Sequence, residues 1–296
     1  MSVRNMAAFL VSSALLLTGK VKKACKKAHD GQYIISVYFH SPDKKLFTSC
    51  VKWFLKNGFT FLSLDDIENI ANGKKTFPGS GVVFTVDDGW RSNKENIAAV
   101  ANEYKVPVAI FASTQPIEKD GAYWWSYIGK AKNDGLISQS IRDLKKVPNE
   151  ERVAILEKVK ETVALPREAL TVEELKEISA TPYVHIGSHT VTHPILSQCP
   201  DTTSAFELTE SKRKLESWLN KKVNHFAYPN GEFRQREIDI LKKSGYTLAF
   251  TTVPDYLTPE SLQKPFELPR FDVLENISFT ENICRMTGAW FNRKLL

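Results

Sequence analysis

Residues 81–89 read Gly-Val-Val-Phe-Thr-Val-Asp-Asp-Gly. Four of the first six are β-branched and one is aromatic, the composition of a strand buried on both faces. The run ends on two adjacent acids. At the end of a buried strand, like charge and desolvation both oppose ionisation of such a pair. A metal ion relieves that cost. The chain turns here, so both Asp87 and Asp88 can reach one pocket. The competing reading is an aspartate capping the helix that follows the glycine.

The same grammar recurs along the chain. Residues 33–40 (YIISVYFH) form another apolar strand, and 46–59 carry apolar residues at helical spacing up to Gly58. Residues 60–64 (TFLSL) read as a strand, with Asp65 or Asp66 as cap of the helix beyond. Helical 96–104 and the strand 106–113 come next. Residues 115–180 break the rhythm with an aromatic-rich segment containing Trp124 and Trp125, then helical patterns near 136–164 and 171–180. Strand, helix, strand and helix then resume from 183 to 252. Alternation of this kind predicts an α/β fold with a parallel sheet covered by helices, close to a (β/α) barrel of about seven strands. The helical insertion sits on the barrel. Such folds carry their chemistry at the strands' C-terminal ends, where His40, Asp87 and Asp88 fall.

A second constellation is Ser188-His189-Thr190-Val191-Thr192-His193-Pro194. Two histidines four apart, read as one helical turn, face the same way at a metal-ligand spacing. They follow an apolar strand and so share the rim with the acids. The third is Phe226-Ala227-Tyr228-Pro229-Asn230-Gly231, a strand ending in a turn that can aim backbone N–H groups into a pocket. One carboxylate and two histidines make a site with open positions, used for hydrolysis with zinc and for oxygen chemistry with iron. The spare carboxylate, Asp87, supplies the base that hydrolysis needs.

These three motifs, in this order, resemble those of the polysaccharide deacetylase family, carbohydrate esterase family 4. Thr85-Val86-Asp87-Asp88-Gly89 is similar to its Thr-Phe-Asp-Asp-Gly motif, and His189 to His193 to its His-Ser/Thr-x-x-His motif. The resemblance implies a distorted (β/α) barrel in which Asp88, His189 and His193 hold a divalent metal, most often zinc. It implies Asp87 as base, the N–H of Asn230 as an oxyanion donor and Thr190 as a brace for the histidine loop, with Tyr228 in the same substrate-binding motif. Two departures stand out. Ala227 occupies the place of the family's base-orienting arginine, so Arg270 is expected to supply that charge from a later strand. No histidine follows His225, so the family's late acid histidine is missing. Of His29, His40, His185 and His225, only His40 ends a strand on the rim, and it is expected to face the pocket as acid or substrate contact. Trp124 and Trp125 are candidates to stack on sugar rings, with one of the pair expected in the core. The substrate implied is an acetylated glycan, with N-acetyl hydrolysis leading. Deformylation, O-acetyl ester hydrolysis and a non-catalytic, metal-retaining glycan binder are the alternatives.

Composition bounds the rest. The chain has 296 residues, 40 basic and 34 acidic, for a net charge of +6. No interleaved aromatic and basic motif supports nucleic-acid binding. Cys25, Cys50, Cys199 and Cys284 are too few and scattered for a disulfide framework. Residues 1–30 form a basic helical segment ahead of a barrel domain over 31–296. Within it Met6, Leu10, Leu17, Val21, Ala24 and Ala28 share one helical face. A helix docked on the domain, a helix on an anionic membrane surface and a signal peptide are the three readings of this segment. Cytoplasmic or membrane-peripheral placement is favoured over secretion, because no small-x-small cleavage site follows the apolar stretch.

Overall fold

The computed structural model describes residues 3–291. Its frame is eight strands: β1 (Ile35–Phe39), β2 (Thr60–Phe61), β3 (Gly81–Val86), β4 (Val108–Ala112), β5 (Val184–Ser188), β6 (His225–Ala227), β7 (Leu248–Phe250) and β8 (Phe271–Asp272). They run in the order β7-β6-β5-β4-β3-β1-β8, with β2 paired to the start of β3 and every ladder parallel. The segment 268–272 closes the ring. Leu268 exchanges backbone hydrogen bonds with Ala249 and Thr251 beside β7, and Phe271 and Asp272 pair with Val37 and Tyr38 of β1. The result is the distorted (β/α) barrel that the alternation predicts.

Side chains alternate across each strand, and this parity decides which residues meet. In β3, Val82 and Phe84 face the outer helices, where the Phe84 ring lies 4.9–5.8 Å from those of Phe39, Phe47, Phe54 and Phe61. Val83 faces inward among Ala109, Phe111, Ala227 and Phe250. The inward set continues through Thr85 to Asp87 in β3, and through Ser36 and Tyr38 to His40 in β1. In β5 it runs from His185 through Gly187 to His189.

The local readings need four adjustments. Only Thr60–Phe61 of TFLSL is strand, and Ser63 caps the next helix, with Asp66 at N3 completing a capping box. The insertion contains an unanticipated helix at Trp124–Asn133, and the stretch near 136–164 divides into Ile141–Leu144 and Asn149–Lys160 around Pro148. A proline disfavours helix in the residue before it. The N-terminal segment is two helices, α1 (Val3–Leu17) and α2 (Lys20–His29), broken at Gly19 with φ 72°. The single apolar stripe therefore does not form: Val21, Ala24 and Ala28 are buried, while Met6, Leu10 and Leu17 are exposed. Helix α2 rests on the barrel, where Ala24 O accepts from the Tyr33 hydroxyl and Ala28 O from Ser80 N, and α1 packs on the helix Phe279–Met286, where Cys284 Sγ lies 3.5 Å from Ser12 O. No described helix is long and apolar enough to cross a membrane. All four cysteines are free and buried. Residues 1–2 and 292–296 of the two expected segments lie outside the described residues.

At the N-terminal ends of β5 and β6, His225 Nδ1 lies 2.9 Å from His185 Nε2, and His225 Nε2 lies 3.0 Å from Glu68 Oε2. Burial, then the charges of His225 and Lys221, push His185 from 6.5 down to about 3. The unfolded chain therefore binds a proton that the folded chain refuses between those values, and stability falls as pH drops through this window. We expect His185→Gln to remove up to about 1.4 kcal/mol per pH unit of that slope. Urea denaturation at several pH values below 6.5 reads it; identical slopes for both proteins contradict the buried neutral imidazole.

Candidate active site

The C-terminal ends of β1, β3, β5 and β6 open into a cavity of about 530 Å³ lined by His40, Asp87, Asp88, His189, His193 and Asn230, with Trp90, Trp125 and Lys145. Tyr228 is not among its walls. Its side chain is fully buried, stacked on Phe233, and its hydroxyl donates to Phe266 O. Strand parity turns Ala227 inward and Tyr228 outward, which corrects its expected contact with substrate. The tryptophans divide. Trp124 is buried, donating from Nε1 to His193 O, with the Arg152 guanidinium over its ring. Trp125 lines the cavity with its ring 4.6 Å from that of His193.

Asp88 Oδ1 is buried without a hydrogen-bond partner and lies 3.5 Å from His189 Nε2 and 3.3 Å from His193 Nε2. Trp90 Nε1 donates to the other oxygen at 2.9 Å. His189 Nδ1 lies 2.7 Å from Ala227 O. A carbonyl only accepts, so Nδ1 carries a proton, and in the neutral ring Nε2 is the nitrogen left to bind a metal. Three ligand atoms thus converge on one point, a donor set that fits a divalent metal. Burial works to raise the Asp88 carboxyl, but the two imidazoles hold it well below the usual range. Burial opposes charge on both rings; nearby carboxylates outweigh it at His189, while His193 is left at about 4.

The histidine pair converges by a different route from the expected helical turn. Residues 189–193 are irregular, with Thr190 at φ 70° and His193 at φ 54°. Asp88 and Asn230 are also left-handed, at 79° and 55°. Such backbone is costly for residues other than glycine and needs the surroundings to hold it. Thr190 Oγ1 accepts from His193 N at 3.1 Å. Glu207 does more: its carboxylate accepts from Val191 N, Thr192 N and Thr192 Oγ1 at 2.6–2.9 Å. Gly231 follows Asn230 at φ 71°, and a Cβ there would lie 2.7 Å from Thr252 N.

Sequence reasoning missed Glu207, Trp90 and Lys145. Glu207 had a signal. It lies with Ser204, Leu208, Ser211 and Leu215 on the buried face of the helix Asp201–Leu219, and an acid on a buried stripe needs a partner. Lys145 comes from the insertion, donates to Asn230 Oδ1 and leaves the buried Asn230 Nδ2 unpartnered. No local pattern marks it. Of the other histidines, His29 contacts Ser80, while His185 and His225 pair with each other below the cavity. The second group with metal-ligand spacing, Asp65 with those two, is already engaged through Glu68.

Comparison with known proteins identifies the family and the fold. Residues 74–249 match the model of the family described as polysaccharide deacetylase. The chain belongs to the polysaccharide deacetylase family. YxkH of Bacillus subtilis (strain 168), named for the same family, is 22% identical over 211 residues, which is 71% of this chain and 58% of that protein. Among solved structures, the Streptococcus pyogenes deacetylase PplD in complex with acetate superposes with a TM-score of 0.63 at 18% identity, covering 86% of this chain and 98% of that one. A de-N-acetylase from Aggregatibacter actinomycetemcomitans gives 0.59 at 18%, covering 84% and 99%. The fold is shared with both.

In this polysaccharide deacetylase-family chain, Arg270 meets Asp87 head on. Its Nη1 and Nη2 donate to the two carboxylate oxygens at 2.8 Å each, Nη1 also reaches Thr85 Oγ1, and Nε donates to Thr251 O. Burial works to raise Asp87, but the guanidinium overcomes it and holds the carboxylate ionised. Both groups are almost wholly buried. Removing one partner strands a buried charge, so Arg270→Ala is expected to cost about 3–5 kcal/mol of stability. The double change Arg270→Ala with Asp87→Asn is expected to cost less than the sum of the two. Denaturant titration of the four proteins checks both; additive losses contradict the pair.

Proposed function

We propose that the chain is a metal-dependent hydrolase removing N-acetyl groups from an amino sugar in a glycan. The observation that carries this reading is a buried carboxylate, Asp87, held ionised beside a separate three-ligand group. A plain binding site has no use for a second buried acid.

Asp88, His189 and His193 would hold the ion, with zinc the best match to two imidazoles and a carboxylate. When bound, the ion polarises the acyl oxygen and makes water more acidic. Asp87 takes the proton of the attacking water at its carboxylate, and Arg270 fixes that carboxylate's plane. Asn230 offers its backbone N–H to the acyl oxygen, with Lys145 holding the side chain in place. The C–N bond breaks only as the amine nitrogen gains a proton. His40 lies on the cavity wall, inward by strand parity, and donates that proton. Trp125 presents a ring face for the apolar side of a pyranose. The de-N-acetylase among the structural neighbours is consistent with an amide substrate.

Acetate release from a panel of N-acetylated and O-acetylated glycans tests the reading. Asp87→Asn is expected to retain metal and lose at least about 100-fold in rate. His189→Ala with His193→Ala is expected to lose the metal, measured by elemental analysis. His40→Ala is expected to lose amide hydrolysis while keeping ester hydrolysis, because an alcohol leaves with far less help than an amine. Unchanged metal content in the double variant, or full activity in Asp87→Asn, contradicts these roles.

A further inference from the structure

Helix α1 is packed inside out. The buried side chains it turns to the rest of the fold are small, Ala8 and Ser12, whereas Met6, Phe9, Leu10, Val11, Leu16 and Leu17 are 37–89% exposed. An exposed apolar patch of this size marks a surface meant to be covered. The charge beside it says by what. Residues 1–29 hold Arg4, Lys20, Lys22, Lys23, Lys26 and Lys27 and no acid, so the whole net charge of +6 resides there. The rest of the chain has equal numbers of each sign. Leu16 shares one open depression of about 720 Å³ with Lys22, Lys23 and Lys26. Arg4 is already engaged by Glu281 at 2.9 Å, leaving the lysines to act outward. A second copy of the chain seated here would bring like charges together. An anionic lipid surface instead matches the apolar helix with its acyl region and the lysines with its headgroups.

The position of α1 gives the contact a purpose. Asn5 Nδ2 donates to Asn276 O, and Arg4 grips the helix Phe279–Met286. The residues just before Asn276, Val273 to Glu275, line the active-site cavity, and Glu275 accepts from Ser41 N next to His40. The apolar helix is therefore fastened to the rim of the cavity.

We propose that α1 lies in the interfacial layer of an anionic membrane, with the α2 lysines on its headgroups, so that the cavity mouth works on a glycan carried by a lipid. The substrate half rests on the deacetylase reading above; the membrane half does not. Co-sedimentation of the full chain with vesicles of phosphatidylcholine, with and without phosphatidylglycerol, tests the membrane half. Binding is expected only with the anionic lipid and is expected to weaken with salt. Lys22→Gln with Lys26→Gln should lower partitioning roughly 20–30-fold, and Leu10→Ser with Leu17→Ser should abolish it. Asp87→Asn should bind as wild type. Absence of binding, equal binding to neutral vesicles, or an apolar face covered by dimerisation (a dimer for wild type, a monomer for the leucine variant) overturns the proposal. For the substrate half, acetate release is compared between an acetylated amino sugar on a lipid in vesicles and the same sugar free in water. The leucine variant should lose the first preferentially and keep the second. Equal loss of both, or no preference in wild type, overturns it. Vesicle binding with no acetate from either substrate refutes the deacetylase reading and leaves the membrane contact standing.

Discussion

The buried ion pair between Asp87 and Arg270 is the contact on which the site depends. Asp87 directly follows β3, which lies between β4 and β1, and Arg270 lies in the segment 268–272 that joins β7 to β1 and closes the barrel. One two-pronged contact therefore ties ring closure to the rim where the other candidate side chains gather. Neither charge could be buried alone. Together they lie beneath the cavity, with Tyr38, Phe111 and Phe250 around the guanidinium, and they leave Asp87 ionised next to the metal-type group without joining it.

The neighbouring residue carries a different constraint. Asp88 takes a left-handed backbone, and so do Thr190, His193 and Asn230. Such backbone turns side chains away from strand parity, so Asp88 can meet His189 although it directly follows Asp87. The supports lie one layer out: Glu207 on the histidine loop, Trp90 on Asp88, the Ala227 carbonyl on His189 and Thr252 against Gly231. Charge from Arg270 and a carbonyl from Ala227 come from adjoining parts of the same rim.

Much of this was legible in the sequence because the signals are local and periodic. Apolar runs ending at His40, Asp87 and Ser188 name their strands, and period-two alternation carries His40, Asp87 and His189 to one side. Parity also decides Tyr228, whose outward turn follows once Ala227 faces inward. The remainder depends on long-range packing. Nothing local separates Trp124 from Trp125, since their roles follow from how a helix of the insertion docks on the histidine loop. Lys145 reaches Asn230 across 85 residues of chain. Gly19 divides the N-terminal segment, which is why an apolar stripe continuous on a helical wheel becomes an exposed half and a buried half.

The proposed function divides the labour between two adjacent acids, Asp88 for the metal and Asp87 for the proton. The most direct measurement is anomalous diffraction at the zinc edge from crystals grown with zinc. One peak is expected at about 2.0–2.2 Å from Asp88 Oδ1, His189 Nε2 and His193 Nε2, with Asp87 still paired to Arg270. A peak ligated by Asp87, or one confined to Asp65, His185 and His225, would contradict it.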